Sequence, residues 1–535
     1  MYKRINLLSK NKLHIICPFL CLSAFLGAFY YFAAPMLWLD IKNSFEASLI
    51  WLDEGLHLRN IERMQTRNTL ELLHPAYTAF YTHLSYIISW LLSISEDEIS
   101  TRTFISGSRW ASYFCIQLLL LTVFWRVLKI LGSWKWAFLG MCLVGMQRGS
   151  FFYSITMHPE PPMLLGIVVS IFATTEYLCQ PKFVKVQLIF LALALAIASK
   201  IQAVLLLPWS IIIVILGFWI NQIKDIRTIA LWLSGALITL ICSLLLLTPY
   251  QVLHWQRLWQ GIQSERIVQT FAEVNIIDWI KYTISNELIG YSYSLLLLFT
   301  IIQFIKKIYL NRKNLREWLG TPVPAFFVSN LILVVFGLGY VYLAVEVLIA
   351  RYLTHVVPSI IFLTFIGLYW LSFNPKNKAQ FTWLFFLAIL VVAGIQQQTK
   401  HASFDFRVRK QIGDRLVHIR QAIFEIKNII PRESRILDPP GQYLDSKWFL
   451  NVKNWDPTKQ NITNSNIEYL LLSEGYPGSL KREGVSLKDS SKLFDYQEKI
   501  KFWKELTQHG LNGKFQVERI FKEAKLILYS RVLPD

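Results

Sequence analysis

Long apolar runs recur along this chain, separated by short polar or basic connections. About eleven of them approach the ~20 residues that a helix needs to cross a bilayer. They lie near 14–38, 107–131, 134–152, 161–179, 186–199, 203–220, 229–249, 289–305, 323–345, 353–372 and 381–397. The stretch from Leu188 to Ile220 is too long for one crossing. It is interrupted by Ser199-Lys200-Ile201-Gln202, which predicts a hairpin with Lys200 at its tip.

The pattern changes after about Thr399. Ile412, Leu416, Ile419 and Ile423 recur at helical spacing and predict an amphipathic helix. Strand-like runs follow at Arg435–Asp438, Ile467–Leu472 and Leu526–Tyr529. A further helix is predicted from about Leu493 to His509, stopped by Gly510. The expected fold class is therefore a polytopic α-helical membrane protein over residues 1–398 with a small α/β domain over 399–535.

Composition agrees with membrane insertion. The 535 residues are 54% hydrophobic and only 17% charged, against about 25% charged in a soluble domain. The net charge of +19 sits mostly beside apolar spans. That fits the positive-inside bias and contact with lipid headgroups, and gives no basic module for nucleic acid. The six cysteines, Cys17, Cys21, Cys115, Cys142, Cys179 and Cys242, all lie in apolar segments. They imply neither a disulfide framework nor a thiolate metal site. The basic N-terminus and the apolar run after it resemble a signal peptide, but the run is long and lacks a small-residue cleavage site, so it reads as an uncleaved first span.

Orientation follows from lysine and arginine in the short connections. Lys3 to Lys12, Arg126 to Lys135, Lys182 with Lys185, Lys224 with Arg227, Lys306 to Arg316, and Lys376 with Lys378 all fall on one side. That side is expected to be cytoplasmic, with the C-terminal domain outside. Residues 76–94 are apolar enough to imitate a span, yet counting them would invert every later loop. They are read instead as surface helices in an external loop of about 39–106. A second external loop, about 250–288, holds Trp255, Trp259 and Trp279, expected at the headgroup level.

Candidate chemistry gathers on the expected external side. Asp53-Glu54 is an acidic pair just beyond the first span, followed by His57. A partly desolvated carboxylate there would be a better base, although Asp53 also suits a helix N-cap. Glu160, in His158-Pro159-Glu160-Pro161-Pro162, starts a span and could face Asp53, or could simply favour that helix's dipole. Arg59, Arg63 and Arg67 form a stripe suited to headgroups. Lys200 and Arg351 read as isolated cations at the external surface, suited to a phosphate or to snorkelling. Two acids and two cations on one side could take a proton and hold a phosphate.

In order and topology these elements resemble the GT-C membrane glycosyltransferases, in particular protein O-mannosyltransferases and aminoarabinose lipid A transferases. The matching elements are Asp53-Glu54 after the first span, His74-Pro75, Glu160 before the fourth span, Ser199-Lys200 followed by Pro208, and Arg351-Tyr352 with Pro358. The resemblance implies inverting transfer of a sugar from a polyprenyl-phosphate-linked donor to a protein, lipid or glycan on the external face. It implies Asp53 as the base, with Glu54 and Glu160 as acids that bind acceptor, sugar or metal. Lys200, Arg351, Tyr352 and His74 would contact the donor phosphate, and His57 and His158 the sugar or acceptor. No cofactor is certain; a divalent metal, if one is used, would fall to Asp53 and Glu160. His74 stands where many relatives have Lys, and Glu160 where many have Asp.

Two other classes fit the apolar pattern, a transporter or flippase and a non-catalytic scaffold. A transporter would place its polar groups near the bilayer midplane and show paired repeats. Here the polar candidates cluster at one surface and no repeat is evident. The expected location is a bacterial inner membrane, with the N-terminus cytoplasmic and the C-terminal domain periplasmic.

Overall fold

The computed structural model describes residues 12–39, 41, 57–61, 63–64, 79–93, 100–256, 258–260, 262–263, 274–286, 288–345, 350–372, 378–438, 444, 451–453, 462, 466–473 and 490–532. It forms two compact units. One comprises 1–40, 57–268 and 275–406, and the other 41–56, 269–274 and 407–535.

Among the described residues the first unit has only helices as regular structure. Without water to bond to, an apolar chain must satisfy its amides internally, and a helix does so within one segment. Among the described residues seven helices are long and apolar enough to cross a membrane. They are α1 (Lys12–Leu37), α3 (Thr101–Leu131), α6 (Glu160–Cys179), the Ile201–Ile220 segment, α9 (Ile226–Leu247), α11 (Gly290–Leu310) and α12 (Pro322–Ala344). Two shorter apolar helices, α7 (Phe183–Ser199) and α13 (Val357–Ser372), and the start of α14 (Lys378–Ile429) bring the match to ten of the eleven expected runs.

Helix ends follow local chemistry. Ser100 caps α3 by accepting from Thr103 N, and Gly132 closes it at φ 65°. Asp225 caps α9 through the amides of Arg227 and Thr228. The described part of helix α2 (Ala79–Leu92) has 14 residues, about 21 Å. It packs antiparallel to α3. The Tyr81 hydroxyl donates to the Ser108 carbonyl at 2.9 Å, and Ser89 lies where a Cβ on Gly107 would fall.

Three expectations are corrected. The segment 134–152 is two helices, α4 (Trp134–Gly145) and α5 (Arg148–Ser154). The polar Gln147 breaks it by capping α5, its Oε1 accepting from Ser150 N at 2.8 Å. The segment expected from 353 becomes α-helical only at Val357; a short 3₁₀ helix (Ala350–Leu353) and a turn at 354–356 precede it. Trp279 is not at a headgroup surface. On α10 (Ile276–Ser285) Trp279 and Thr283 share the buried face, and the indole N–H donates to the Val345 carbonyl. Ile276, Ile277 and Ile280 take the outer face, and Trp255 and Trp259 are exposed.

The second unit carries a five-stranded mixed sheet in the order β2-β1-β3-β5-β4. The strands are β1 (Arg435–Leu437), β2 (Asn451–Lys453), β3 (Tyr469–Ser473), β4 (Phe515–Phe521) and β5 (Leu526–Arg531). β1 pairs parallel with β2 and β3, while β5 runs antiparallel to β3 and β4. One core joins Ile419, Ala422 and Ile426 of α14 to Ile436, Leu471, Leu526 and Leu528. The other joins Phe502 and Leu506 of α15 (Ser490–Gly513) to Leu437, Leu470 and Tyr529. The alternation of a two-faced strand explains this split, since neighbouring residues such as Leu470 and Leu471 enter opposite cores.

Candidate functional site

The site is built at the start of α6. Pro161 and Pro162 occupy the first turn, where a missing N–H costs nothing. Glu160 is the first helical residue and is fully buried. Burying a carboxylate demands partners, and both oxygens have one. Oε2 pairs with His158 Nδ1, and Oε1 accepts from Lys200 Nζ. His158 is likewise buried.

Lys200 reaches Glu160 because α7 ends one residue earlier. Its backbone is extended (φ −151°, ψ 119°) between α7 and a 3₁₀ turn, Ile201–Leu206, which leads into α8 (Leu207–Ile220). Close approach of α6 and α7 sets this meeting. A Cβ on Gly166 would lie 2.7 Å from the Ala192 carbonyl oxygen, and Ser170 Oγ donates to the Ile189 carbonyl at 3.1 Å. The hairpin break at Lys200 is as expected. Its environment is not: the side chain is 7% exposed and ion-paired, rather than isolated at a surface. A lone ammonium beside apolar helices is costly, and the buried carboxylate offsets that cost.

An aromatic wall surrounds His158. The Tyr153 ring stacks on it at 4.8 Å, and His57 meets it edge-on at 6.2 Å. His57 in turn packs edge-on against Tyr81 at 5.3 Å. Tyr81 shares a hydrogen bond with Ser112 Oγ at 3.0 Å, and Ser112 donates to the His158 carbonyl at 3.4 Å. On the Lys200 side stands His355, in the turn before α13. Burial and the charge of Lys200 lower its pKa to about 4, while hydrogen bonds to the Gly337 and Tyr352 backbones pull the other way.

His57, His158, Glu160, Lys200 and the segment with Tyr352 are thus brought to one end of the first unit. Tyr352 is buried. Arg351 lies in the same 3₁₀ turn, Ala350–Leu353, with its side chain outside the described residues. Asp53, Glu54 and His74 also lie outside the described residues, as does Arg67; Arg59 and Arg63 are half-buried. Tyr81, Ser112, Tyr153 and His355 went unnoticed in the sequence, because each sits among apolar residues with no charged motif beside it. The signal available was spacing, since His355 follows Arg351 by four residues and Tyr153 precedes His158 by five. Among the described residues the fit to a divalent metal is poor; Asp53 lies outside them. Both Glu160 oxygens are already engaged, and among the described residues no three His, Cys, Asp or Glu side chains gather as a metal site.

No protein-family model matches the chain, and no curated protein sequence matches it. Solved structures do. ArnT from Cupriavidus metallidurans bound to undecaprenyl phosphate is similar at 10% identity and TM-score 0.48, over 95% of this chain and 98% of that one. Its apo state gives 10% identity and TM-score 0.49 over the same shares. The S. cerevisiae protein O-mannosyltransferase Pmt1-Pmt2 complex bound to the sugar donor is similar at 15% identity and TM-score 0.33, over 44% of this chain and 34% of that one. The chemistry below rests on the side chains themselves.

Proposed function

We propose that this chain is a membrane glycosyltransferase that moves a sugar, with inversion, from a polyprenyl-phosphate-linked donor to an acceptor outside the membrane. The observation that carries this reading is the buried cluster of Glu160, His158 and Lys200 at the first turn of α6. A leaving phosphate needs fixed positive charge. Lys200 and the N-terminus of α6 supply it, and Arg351 would add to it. Before the donor arrives, Glu160 holds the Lys200 ammonium in place.

A phosphate entering this end competes with Glu160 for Lys200. The displaced carboxylate is then available to a sugar or acceptor hydroxyl, still oriented by His158. Asp53 is the proposed base for the acceptor, with Glu54 beside it, because a hydroxyl is a poor nucleophile until its proton is removed. His57, edge-on to His158 in the same wall, would meet the sugar, and Tyr352 and His74 the phosphate. The polyprenyl chain would remain among the apolar helix faces. The same reading makes the bundle a bacterial inner-membrane protein with this end facing the periplasm.

The test compares glycans and glycolipids, by mass spectrometry, from cells with the protein, without it, and with Asp53→Asn or Glu160→Gln in its place. Loss of one sugar addition is expected in the last three. An unchanged sugar complement in cells lacking the protein would overturn the reading.

A further inference from the structure

Residues 306–317 run from the last turn of α11 toward α12. They hold five cations, Lys306, Lys307, Arg312, Lys313 and Arg316, against one carboxylate, Glu317. Among the described residues no carboxylate pairs with any of the five. The basic cluster around Glu176 differs, because Arg126 and Lys129 are both ion-paired there. Here two of the cations rest on aromatic rings instead. The Arg312 guanidinium lies 4.9 Å from the centre of the Tyr309 ring, and that of Arg316 lies 4.6 Å from the centre of the Trp219 ring, near the end of α8. A guanidinium stacked on a ring uses its face. Its N–H edge is left to make paired bonds to a phosphate.

The segment is fixed to the bundle from two sides. After a 3₁₀ turn (Arg312–Asn314), a short helix (Leu315–Leu319) sets Trp318 against Phe304 of α11 at 5.8 Å and Arg316 on Trp219 of α8. Just beyond it a Cβ on Gly320 would lie 3.5 Å from Ile220 Cγ2, in ordinary contact with the end of α8. An apolar stripe leads to Arg312. Leu298, Ile302, Ile305 and Tyr309 are exposed on one face of α11, at spacings of four, three and four. From Leu298 to Tyr309 the helix rises about 17 Å, close to one leaflet of the ~30 Å hydrocarbon core. The stripe ends on the ring that Arg312 covers.

We propose that the α11–α12 connection is a binding site for an anionic phospholipid. An acyl chain lies along Leu298, Ile302, Ile305 and Tyr309, and the headgroup phosphate is held by the N–H edges of Arg312 and Arg316. Lys306, Lys307 and Lys313 add the positive charge that selects a lipid with a net negative headgroup. A soluble polyanion would use the cations and leave the apolar stripe idle, whereas a phospholipid engages both. Lysine is no substitute at 312 or 316, because an ammonium is a point charge with neither a flat face nor a paired N–H edge. The site is separate from the chemistry at Glu160 and stands or falls without it.

The experiment is native mass spectrometry of the purified full chain in detergent, titrated with dioleoylphosphatidylglycerol or dioleoylphosphatidylcholine, which reads the affinity of the first bound lipid. Wild type is compared with two double variants, Arg312→Gln with Arg316→Gln and the charge-conserving Arg312→Lys with Arg316→Lys. Lys182→Gln with Lys224→Gln is the control, removing two exposed cations elsewhere. Wild type and control are expected to prefer phosphatidylglycerol by about tenfold, and both arginine variants to lose most of that preference. A wild type without the preference would overturn the site. So would full preference in the lysine variant, or an equal loss in the control, since either would show diffuse charge in place of a built site. Displacement of phosphatidylglycerol by excess inorganic phosphate would mark a site for a free anion and overturn the lipid. Arg312 and Arg316 are exposed, and if one arginine variant fails to fold the other decides.

Discussion

Glu160 and Glu176 stand at opposite ends of α6, and each carboxylate is held by cations from other segments. Sixteen residues separate them, about 24 Å along the helix. Glu160 is paired with His158 and Lys200, and its side chain is 0% exposed. Glu176 accepts from Arg126 Nη1 and Lys129 Nζ, both at 2.6 Å, with its side chain 23% exposed. The Lys185 ammonium adds hydrogen bonds to the Glu176 and Gln180 carbonyls at 2.8 and 2.9 Å, where a cation suits a helix C-terminus. One end of α6 is a sealed charge cluster and the other an open basic patch.

That polarity sets a topology. Arg126, Lys129, Lys182 and Lys185 gather around Glu176, so the Glu176 end is expected in the cytoplasm and the Glu160 end outside. Lys129 is 67% exposed. A single cysteine placed there by Lys129→Cys, with the native cysteines replaced, should react with an impermeant maleimide only in inside-out vesicles. A tag after Asp535 should be reached from the other side. Labelling of Lys129→Cys in intact cells would reverse the orientation and move the site to the cytoplasm.

The Glu160–Lys200 pair makes an asymmetric stability prediction. Lys200→Met leaves a buried carboxylate with only His158 against it, at a cost of about 3 kcal/mol or more. Adding Glu160→Gln removes the stranded charge, so the double variant should recover most of that loss. Unfolding of the purified protein in detergent measures both. Losses that simply add would mean that the two groups are not coupled, contrary to the hydrogen bond between them.

The meeting of these groups depends on helix spacing. At Gly166 a Cβ would lie within 2.8 Å of both Ala192 O and Ala196 N. Backbone atoms cannot swing aside, so Gly166→Ala should push α7 from α6. The expected cost is about 1–3 kcal/mol, with loss of activity because Lys200 moves with α7. Gly339 in α12 is the control, since a Cβ there meets nothing within 4 Å. Gly339→Ala should be neutral or stabilise by up to about 1 kcal/mol. A thermal shift series that ranks the two variants equally would rule out spacing as the cause.

Much of this was readable from the chain, for identifiable reasons. Apolar length located the helices, and the polar Ser199-Lys200 step located the hairpin break, because charge and apolar length act locally. The charge bias kept 76–94 from being counted as a span; residues 65–78, before the described start of α2, lie outside the described residues. Partnership was less visible. Lys200 read as solitary because Glu160 is forty positions away, and only the close α6–α7 contact at Gly166 joins them. Trp279 was misplaced because headgroups and a protein groove reward the same indole, and the choice depends on Val345. In the sheet, β4 escaped notice because only Phe515 and Phe521 of it are buried, which leaves no alternating pattern to read.

The second unit offers a test of how its last helix stops. α15 ends in three consecutive left-handed residues, Gly510 (φ 54°), Leu511 (φ 54°) and Asn512 (φ 60°), followed by Gly513 at φ 79°. Glycine relieves the left-handed penalty at both of its positions, but the two are not equivalent. A Cβ on Gly510 would fall 2.2 Å from the Phe515 carbonyl oxygen, whereas one on Gly513 meets nothing within 4 Å. Gly513→Ala should therefore cost only the conformational term, about 1–2 kcal/mol. Gly510→Ala pays that term and also displaces the start of β4, which should raise the total to about 3 kcal/mol or more. Hydrogen exchange on the full chain reads the difference locally: faster exchange across β4 and β5 is expected for Gly510→Ala and near-native protection for Gly513→Ala. Equal protection in the two variants would show that the turn can shift away from Phe515, and that conformational preference alone ends the helix.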